Sequence, residues 1–139
     1  MVWEKWKPGT RESDIPDFVD DFLEKRKTDR PLFLQVCTGN VHMPWLENEG
    51  YDLSELEVPP NFVDTPETRD AIADYYTSVN QLDVTVGKVL KSLADHGYDR
   101  NTLVVFTSDH GANFPFAKWT VYEEGIHVPF IVRWPGVVK

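Results

Sequence analysis

The sequence predicts an α/β fold in which helices flank a mixed or parallel β-sheet. Apolar side chains recur every three or four residues from 66 to 96, which indicates one long helix. Three apolar runs, residues 31–38, 101–108 and 128–136, have the length and composition of buried strands. A strand, a long helix and a second strand in succession are typical of a crossover unit, which places its two strands parallel.

The two predicted helices have recognisable ends. Residues 15–29 form a short amphipathic helix in this prediction, and the run "EKRK" lies on its last turn, where the helix dipole favours cations. The longer helix starts at Thr65 as N-cap with Pro66 at the first helical position. It stops at Gly97, and His96 suits the negative end of its dipole.

The remaining segments are assigned from composition. Cys37, in the run "LFLQVCTGN", is predicted to be a core thiol near the end of its strand rather than a reactive nucleophile. Residues 39–64 are rich in proline and acidic residues and have little periodicity, which predicts a long irregular segment. Such segments inside compact domains are often functional.

Length, charge and cysteine content exclude several classes. The chain of 139 residues is one domain or part of a larger one. A net charge of -9 argues against a nucleic-acid binder, and a single cysteine excludes an internal disulfide. We expect no membrane span. Residues 1–14 are too polar for a signal peptide, and nothing in the sequence indicates a compartment.

The candidate site residues follow predicted strands. His42 comes after strand 31–38, and Asp109 with His110 comes directly after strand 101–108. If these strands are parallel neighbours, both positions lie at the carboxyl edge of the sheet, where α/β proteins form their sites.

Each candidate has an alternative interpretation at this stage. Asp109 is either a metal ligand or the acceptor of an Asx turn or helix cap, and His110 is either a second ligand or a hydrogen-bonding partner. Two ligands leave the metal type open between calcium or magnesium and zinc. Lys118 is either a cation for an anionic substrate or a surface lysine. His42 is either a general acid or a core histidine. Trp45 and Trp119 either line a sugar-binding cleft or pack.

Several segments together resemble the catalytic domain of sulfatases, in the alkaline phosphatase superfamily. "NTLVVFTSDHG" and "AKWTVYEEGIHVPFIVRWPG" are similar to its C-terminal part, "YYTSVNQLDVTVGKVLKSLADHGYDRNT" to its long helix, and "PLFLQVCTGNVHMPW" to its strand leading to a histidine-proline segment. "YDLSELEVPPNFVDTPETRD" and "SDHGANFPFAK" resemble the branch with heparan N-sulfatase (sulfamidase). The resemblance covers about residues 15–136. It implies that residues 1–139 are a C-terminal portion of the catalytic core, within an alkaline-phosphatase-like sandwich.

The resemblance also implies a chemistry. In sulfatases a formylglycine, made from cysteine or serine, is the nucleophile, and a Ca²⁺ ion bound by carboxylates holds the sulfate. Asp109 matches the late calcium-ligand aspartate, and His110 occupies the adjacent ligand position. Lys118 matches the basic residue that contacts the sulfate, and His42 matches a histidine that helps protonate the leaving group. The expected partner is a sulfated small molecule or glycan.

Parts of the family pattern are absent. Cys37 is followed by "TGNV" and therefore lacks the modification motif, Cys or Ser, x, Pro or Ala, x, Arg. The early aspartate pair of the calcium site and the lysine and histidine that follow the nucleophile are also absent. We therefore expect a fragment of a longer sulfatase, inactive alone. A phosphodiester or phosphonate hydrolase of the same superfamily and a non-catalytic remnant are the alternatives.

Overall fold

The structure, a computed structural model, describes residues 11–138. In chain order the elements are α1 (Ile15–Lys25), α2 (Pro66–Asp95), β1 (Val104–Thr107), α3 (Glu123–Ile126) and β2 (Phe130–Arg133). A single 3-10 turn precedes α1. Most of the N-terminal stretch considered for a signal peptide lies outside the described residues. Between residues 11 and 138, no helix combines the length and the apolar composition needed to cross a bilayer.

The long helix is confirmed almost to its predicted ends. Thr65 is its N-cap, and the Thr65 hydroxyl accepts the Thr68 backbone N–H at 3.2 Å. Pro66 opens the first turn, His96 is the C-cap, and Gly97 follows with a φ of 78°. A positive φ is easily adopted by glycine, which explains why the helix stops there.

The buried face of α2 is more polar than its periodicity predicts. Among its predicted apolar positions only Ile72 and Leu93 are buried, while Tyr76 and Val79 are exposed. The other buried positions carry small side chains, namely Ala73, Thr77, Ser78, Thr85 and Ser92. Small residues let a neighbouring segment approach closely, and their hydroxyl groups can accept hydrogen bonds from its backbone.

The apolar core lies between α1 and the C-terminal half of α2. Val19 and Leu23 of α1 are buried against Leu93. The His96 Nε2 atom also lies 3.1 Å from Asp20 Oδ1, which joins the same two helices. The helix predicted over 15–29 ends early, at Lys25, so only the first half of the "EKRK" run is helical. The next residue, Arg26, is extended and its guanidinium donates to Tyr98 Oη at 2.8 Å, which turns the chain away from the helix axis.

The predicted crossover, which joins strand 31–38 to strand 101–108 through the long helix, is not formed, because the run 31–38 is not a strand among the described residues. Their only sheet contains β1 and β2, which pair antiparallel with Val104 opposite Arg133 and Thr107 opposite Phe130. The two predicted strands 101–108 and 128–136 are therefore confirmed in shortened form. Their connection includes only a four-residue helix, which reverses the chain without a crossover.

The run 31–38 is not a strand in the structure. Its side chains alternate between exposed and half-buried, and Leu32, Leu34 and Val36 pack against the α1–α2 core. Within the described part of the chain, however, no backbone hydrogen bond joins this run to another segment. The alternation also leaves Cys37 exposed, so the prediction of a core thiol is wrong. An apolar run predicts a strand only where a neighbouring backbone completes the hydrogen bonds.

Residues 39–64 are irregular, as predicted, and α2 holds them in place. Three backbone N–H groups donate to side chains on α2: Leu46 to Ser78 Oγ at 2.9 Å, Asn48 to Asp74 Oδ1 at 2.8 Å, and Glu49 to Thr77 Oγ1 at 3.2 Å. We call these three bonds the α2 seam. They replace the ladder hydrogen bonds that a strand would have made.

A second attachment of this segment is Arg69. Its guanidinium binds both carboxylate oxygens of Asp64, at 2.6 and 2.7 Å, and donates to the carbonyl oxygens of Leu53 and Leu56 at 2.7 and 2.9 Å. The hydrogen bond from Arg69 lowers the pKa of Asp64 below its ordinary value. The planar fork of arginine suits this bidentate contact, which lysine cannot reproduce.

Two glycines allow the segment after β1 to pack against α3. A Cβ atom on Gly111 would lie 1.8 Å from the Glu124 carbonyl oxygen. One on Gly125 would lie 2.5 Å from the carbonyl oxygens of Ala117 and Thr120. No side chain fits at either position unless the backbone moves.

We expect Gly125→Ala to destabilise the chain by roughly 1–3 kcal/mol, the usual range for overpacking. Gly87→Ala is the matched control, because Gly87 is exposed within α2 and its Cβ would meet nothing within 4 Å. It should stabilise the chain by about 0.5–1 kcal/mol, since alanine favours helix. Urea unfolding measures both. Equal effects from the two substitutions would contradict the close packing at Gly125.

We also expect a pH-dependent contribution from the Asp64–Arg69 pair. The folded pKa of Asp64 lies below its unfolded value of about 3.9, so the stabilisation is complete above that pH and is lost as the pH falls through the folded pKa. Between about pH 7 and about pH 3, the unfolding free energy should therefore fall less in Asp64→Asn than in the wild type. Asp83→Asn, exposed on α2, serves as the control, and its unfolding free energy should stay closer to the wild-type pH dependence. An unchanged pH dependence in Asp64→Asn would contradict the prediction.

Candidate functional site

Two predicted site residues that are distant in sequence meet directly. The Lys118 Nζ atom lies 2.8 Å from His42 Nε2, although the residues are 76 positions apart. His42 is exposed and Lys118 is half-buried. A hydrogen bond of this length between a cationic donor and an imidazole nitrogen fixes the relative position of two chemically competent groups.

The contacts of the His42 ring define its protonation in this arrangement. Its Nδ1 atom lies 2.6 Å from the carbonyl oxygen of Met43, which can only accept, so Nδ1 carries the proton. Nε2 then accepts from the Lys118 ammonium group. Nε2, the ring nitrogen that faces Lys118, is therefore the atom through which His42 can act on a bound group.

The turn that carries His42 is held by its own backbone and by a tryptophan. The His42 N–H donates to the Gly39 carbonyl oxygen at 2.8 Å, and the Trp45 indole N–H donates to the Val41 carbonyl oxygen at 3.1 Å. The Trp45 ring is part of an aromatic cluster made by Trp45, Phe62, Tyr75 and Phe114. The position of His42 is thus linked to this cluster.

The aromatic cluster joins the segment of His42 to that of Lys118. Phe114 lies 4.7 Å from Trp45, 5.2 Å from Phe62 and 5.4 Å from Tyr75 between ring centroids. Burial in the cluster raises the pKa of the Tyr75 phenol above its ordinary value. Four residues after Phe114, the Lys118 N–H donates to the Ala112 carbonyl oxygen at 3.0 Å, and Ala117 is buried. This packing aims Lys118 at His42.

Asp109 and His110 follow β1, as predicted, and face each other. His110 Nδ1 donates to the Gly111 carbonyl oxygen at 2.9 Å, which leaves Nε2 3.4 Å from Asp109 Oδ2. The Ser108 hydroxyl donates to the His110 carbonyl oxygen at 2.9 Å and braces the same turn. An imidazole nitrogen and a carboxylate oxygen that converge in this way can hold a cation between them when the imidazole is neutral.

The described residues do not form a complete metal site. Between residues 11 and 138, no group of three or more histidine, cysteine, aspartate or glutamate side chains is placed to hold an ion. Ca²⁺ takes six to eight oxygen ligands, and the pair Asp109–His110 supplies one carboxylate and one nitrogen. The pair therefore supplies only part of the coordination shell of a divalent cation.

Two further features lie beside His42 that the sequence did not single out. The Asn113 side-chain amide lies 3.0 Å from Met43 Sδ, a second contact between the two segments. A cavity of about 400 Å³ opens next to His42, lined by Glu12, Ile15, Cys37, Gly39, Asn40, His42 and Pro44. The buried Oε1 atom of Glu12 has no hydrogen-bonding partner within the described residues. No motif predicts this cavity, because its walls come from two separate segments.

The two tryptophans considered for a sugar cleft have different environments. Trp45 packs in the aromatic cluster. Trp119 is 88% exposed, and its ring centroid lies 5.2 Å from the Lys118 ammonium nitrogen. The packing interpretation therefore applies to Trp45 and fails for Trp119.

Comparison with known proteins identifies the family. The family model described as Sulfatase matches residues 5–139. The human N-sulphoglucosamine sulphohydrolase is 37% identical over 91% of this chain and 30% of its own length. An ulvan-active sulfatase of Formosa agariphila is 30% identical over 99% of the chain and 29% of its length.

An endo-4-O-sulfatase of Bacteroides thetaiotaomicron is 26% identical over 98% of the chain and 30% of its length. The chain therefore spans about 30% of the length of these curated relatives. The family match covers nearly every residue, including those that form the contacts described above. The chain belongs to the sulfatase family.

Proposed function

We propose that residues 1–139 form the C-terminal portion of a sulfatase catalytic core that hydrolyses sulfate esters or sulfamates of carbohydrates. The contact between Lys118 Nζ and His42 Nε2 at 2.8 Å is the observation that carries this proposal. It places a cation for an anionic group beside a proton-transfer group, as cleavage of a sulfate from a poor leaving group requires. The relatives named for sulfated glycans and for N-sulphoglucosamine support the carbohydrate substrate.

Lys118 holds the sulfate in this proposal. Its ammonium group donates to a sulfate oxygen and offsets the negative charge that grows on the leaving oxygen during cleavage. The half-buried position of Lys118 strengthens this attraction, because less water screens the charge. Lys118 is therefore more effective here than a lysine in bulk solvent.

His42 supplies the leaving group with a proton. Its Nδ1 proton is committed to the Met43 carbonyl oxygen, so Nε2 is the atom that exchanges protons. Nε2 takes a proton from solvent and transfers it to the ester oxygen, or to the nitrogen of a sulfamate, as the bond to sulfur breaks, while Lys118 keeps its charge. The adjoining cavity leaves room for the departing group.

Asp109 and His110 would bind a divalent cation, Ca²⁺ by family, together with ligands from outside the described residues. Their converging Oδ2 and Nε2 atoms, 3.4 Å apart, support this role. When bound, the family's Ca²⁺ would neutralise sulfate oxygens and its formylglycine would supply the nucleophile. Residues 11–138 hold no complete cation site, and the sequence contains no nucleophile motif, so we propose that the isolated chain is inactive.

The proposed roles predict different substrate dependence for two substitutions in a complete sulfatase domain that contains this chain. Lys118→Met should lower kcat/KM by roughly 10²–10³-fold for all sulfate esters. His42→Gln should lower it by roughly 10²–10⁴-fold for a sugar sulfate, which needs a general acid. With nitrophenyl sulfate, whose leaving group departs without a proton, His42→Gln should change the rate little.

The matched control is His127→Gln. His127 is a well-exposed histidine that pairs with Glu123 in α3, and its loss should leave both rates nearly unchanged. Equal losses for sugar sulfate and nitrophenyl sulfate in His42→Gln would contradict the general-acid role. Steady-state kinetics with both substrates measures the difference.

For the isolated chain we expect no submillimolar Ca²⁺ binding. A site with one carboxylate and one imidazole falls short of the ligand number of even the weak calcium modules, whose Kd is about 10⁻⁴–10⁻³ M. Isothermal titration calorimetry of the wild-type chain and of Asp109→Asn tests this. Submillimolar binding that Asp109→Asn abolishes would show that the chain holds a complete site.

The nature of the nucleophile separates this proposal from its main alternative. The genomic sequence upstream of the codon for Met1 should encode the motif Cys or Ser, x, Pro or Ala, x, Arg. A threonine or serine nucleophile without that motif would indicate a phosphodiester or phosphonate hydrolase. Parallel assays with aryl sulfate and aryl phosphate on the complete enzyme decide between them.

A further inference from the structure

Trp119 projects into solvent from the hydrogen-bonded turns between β1 and α3. Its side chain is 88% exposed, although tryptophan is one of the largest apolar residues and is usually mostly buried. Its backbone φ is 66°, a left-handed conformation that bulky residues seldom adopt. Unfavourable backbone conformations of this kind persist only where neighbouring contacts enforce them, and they concentrate at functional sites.

The neighbouring contacts of Trp119 are visible on both sides. The Thr120 hydroxyl lies 2.6 Å from the Phe116 carbonyl oxygen and 2.9 Å from that of Ala117. The Thr120 N–H also donates to the Ala117 carbonyl oxygen at 3.1 Å, and Gly125 packs against the same atoms. The segment buries its small residue, Ala117, and turns the indole outward. The exposure of Trp119 thus comes from a specific backbone arrangement.

The position of the indole relative to Lys118 indicates what would cover it. The Lys118 ammonium nitrogen lies 5.2 Å from the centroid of the Trp119 ring, about the distance of a cation–π contact. An anion bound by Lys118 therefore lies next to a flat apolar surface. A hexose ring presents an apolar face of C–H groups and can carry an anionic substituent, so one sulfated sugar matches both features.

We propose that Trp119 is a stacking platform for the sugar ring whose sulfate group Lys118 holds, and that it sets the preference of the site for carbohydrate over small aryl or alkyl sulfates. This inference rests on the proposed function, because it takes Lys118 as the sulfate-binding residue. It adds a specificity determinant in direct contact with the substrate. Val121 in the same segment is also 88% exposed but has no ring and serves as the control position.

The test uses the ¹⁵N-labelled chain and follows the indole N–H signals of its five tryptophans by NMR. Trp119→Phe identifies the Trp119 signal by its disappearance. The probes are N-sulfoglucosamine, inorganic sulfate and N-acetylglucosamine. We expect N-sulfoglucosamine to shift the Trp119 signal. It should also bind more tightly than inorganic sulfate, which lacks the sugar ring, and more tightly than N-acetylglucosamine, which lacks the sulfate.

The variants separate the two contacts. Trp119→Ala should weaken binding of N-sulfoglucosamine roughly two- to tenfold and leave binding of inorganic sulfate unchanged, while Trp119→Phe should retain most of the affinity. Val121→Ala should bind both probes like the wild type. The Lys118→Met variant should lose binding of both inorganic sulfate and N-sulfoglucosamine.

Each failure has its own signature. If Trp119→Ala binds N-sulfoglucosamine as the wild type does while Lys118→Met does not, the proposed stacking role of Trp119 is wrong and the sulfate-binding role of Lys118 stands. If Lys118→Met binds both sulfated probes normally, or the wild-type chain binds neither, the proposed function fails at Lys118. A Trp119 signal that moves on dilution of the protein alone would show that a second copy of the chain covers the ring, which also overturns the platform.

Discussion

Three side chains on one face of α2 accept the backbone N–H groups of a segment that has no strand to bond with. This α2 seam, formed by Asp74, Thr77 and Ser78, gives the irregular residues 39–64 a fixed path. The segment lacks periodicity, so its own sequence does not determine a backbone pattern. The long helix provides one instead, because polar side chains fixed along one of its faces accept hydrogen bonds from the N–H groups of Leu46, Asn48 and Glu49.

The rest of the site depends on that path. With residues 46–49 held by the seam, Trp45 reaches the aromatic cluster, where it meets Phe114 at 4.7 Å. Phe114 lies on the segment that carries Lys118, and the two segments close on each other at the Lys118–His42 contact. The Lys118–His42 contact is therefore supported by packing that begins at α2. Rigid aromatic packing suits this task, since it leaves little freedom in the position of the polar groups it supports.

The two polar pairs that involve the segment after β1 differ in how complete they are. Lys118 and His42 form a hydrogen bond with each other within the chain. Asp109 and His110 converge but have no third ligand among residues 11–138. This asymmetry agrees with a chain that spans about 30% of the length of its sulfatase relatives.

Much of this protein could be predicted from its residues. The 3.6-residue repeat and the capping residues Thr65 and Gly97 determined α2, since local hydrogen bonds and backbone preferences suffice for a helix. Candidate site residues followed from their position after apolar runs and from the family resemblance. The order of apolar runs and helical repeats predicted an α/β class, which the sulfatase family match supports, while residues 11–138 show helices and one small antiparallel sheet.

Only the tertiary structure decided which of these residues meet and which segments pair. The run 31–38 has the composition of a strand, but a strand exists only where a second backbone completes its hydrogen bonds, and that is not a local property. The same holds for the antiparallel pairing of β1 with β2 and for the exposure of Cys37. The contact of Lys118 with His42 joins positions 76 residues apart. Such contacts arise from packing against α2 and the aromatic cluster, and no local pattern in the sequence encodes them.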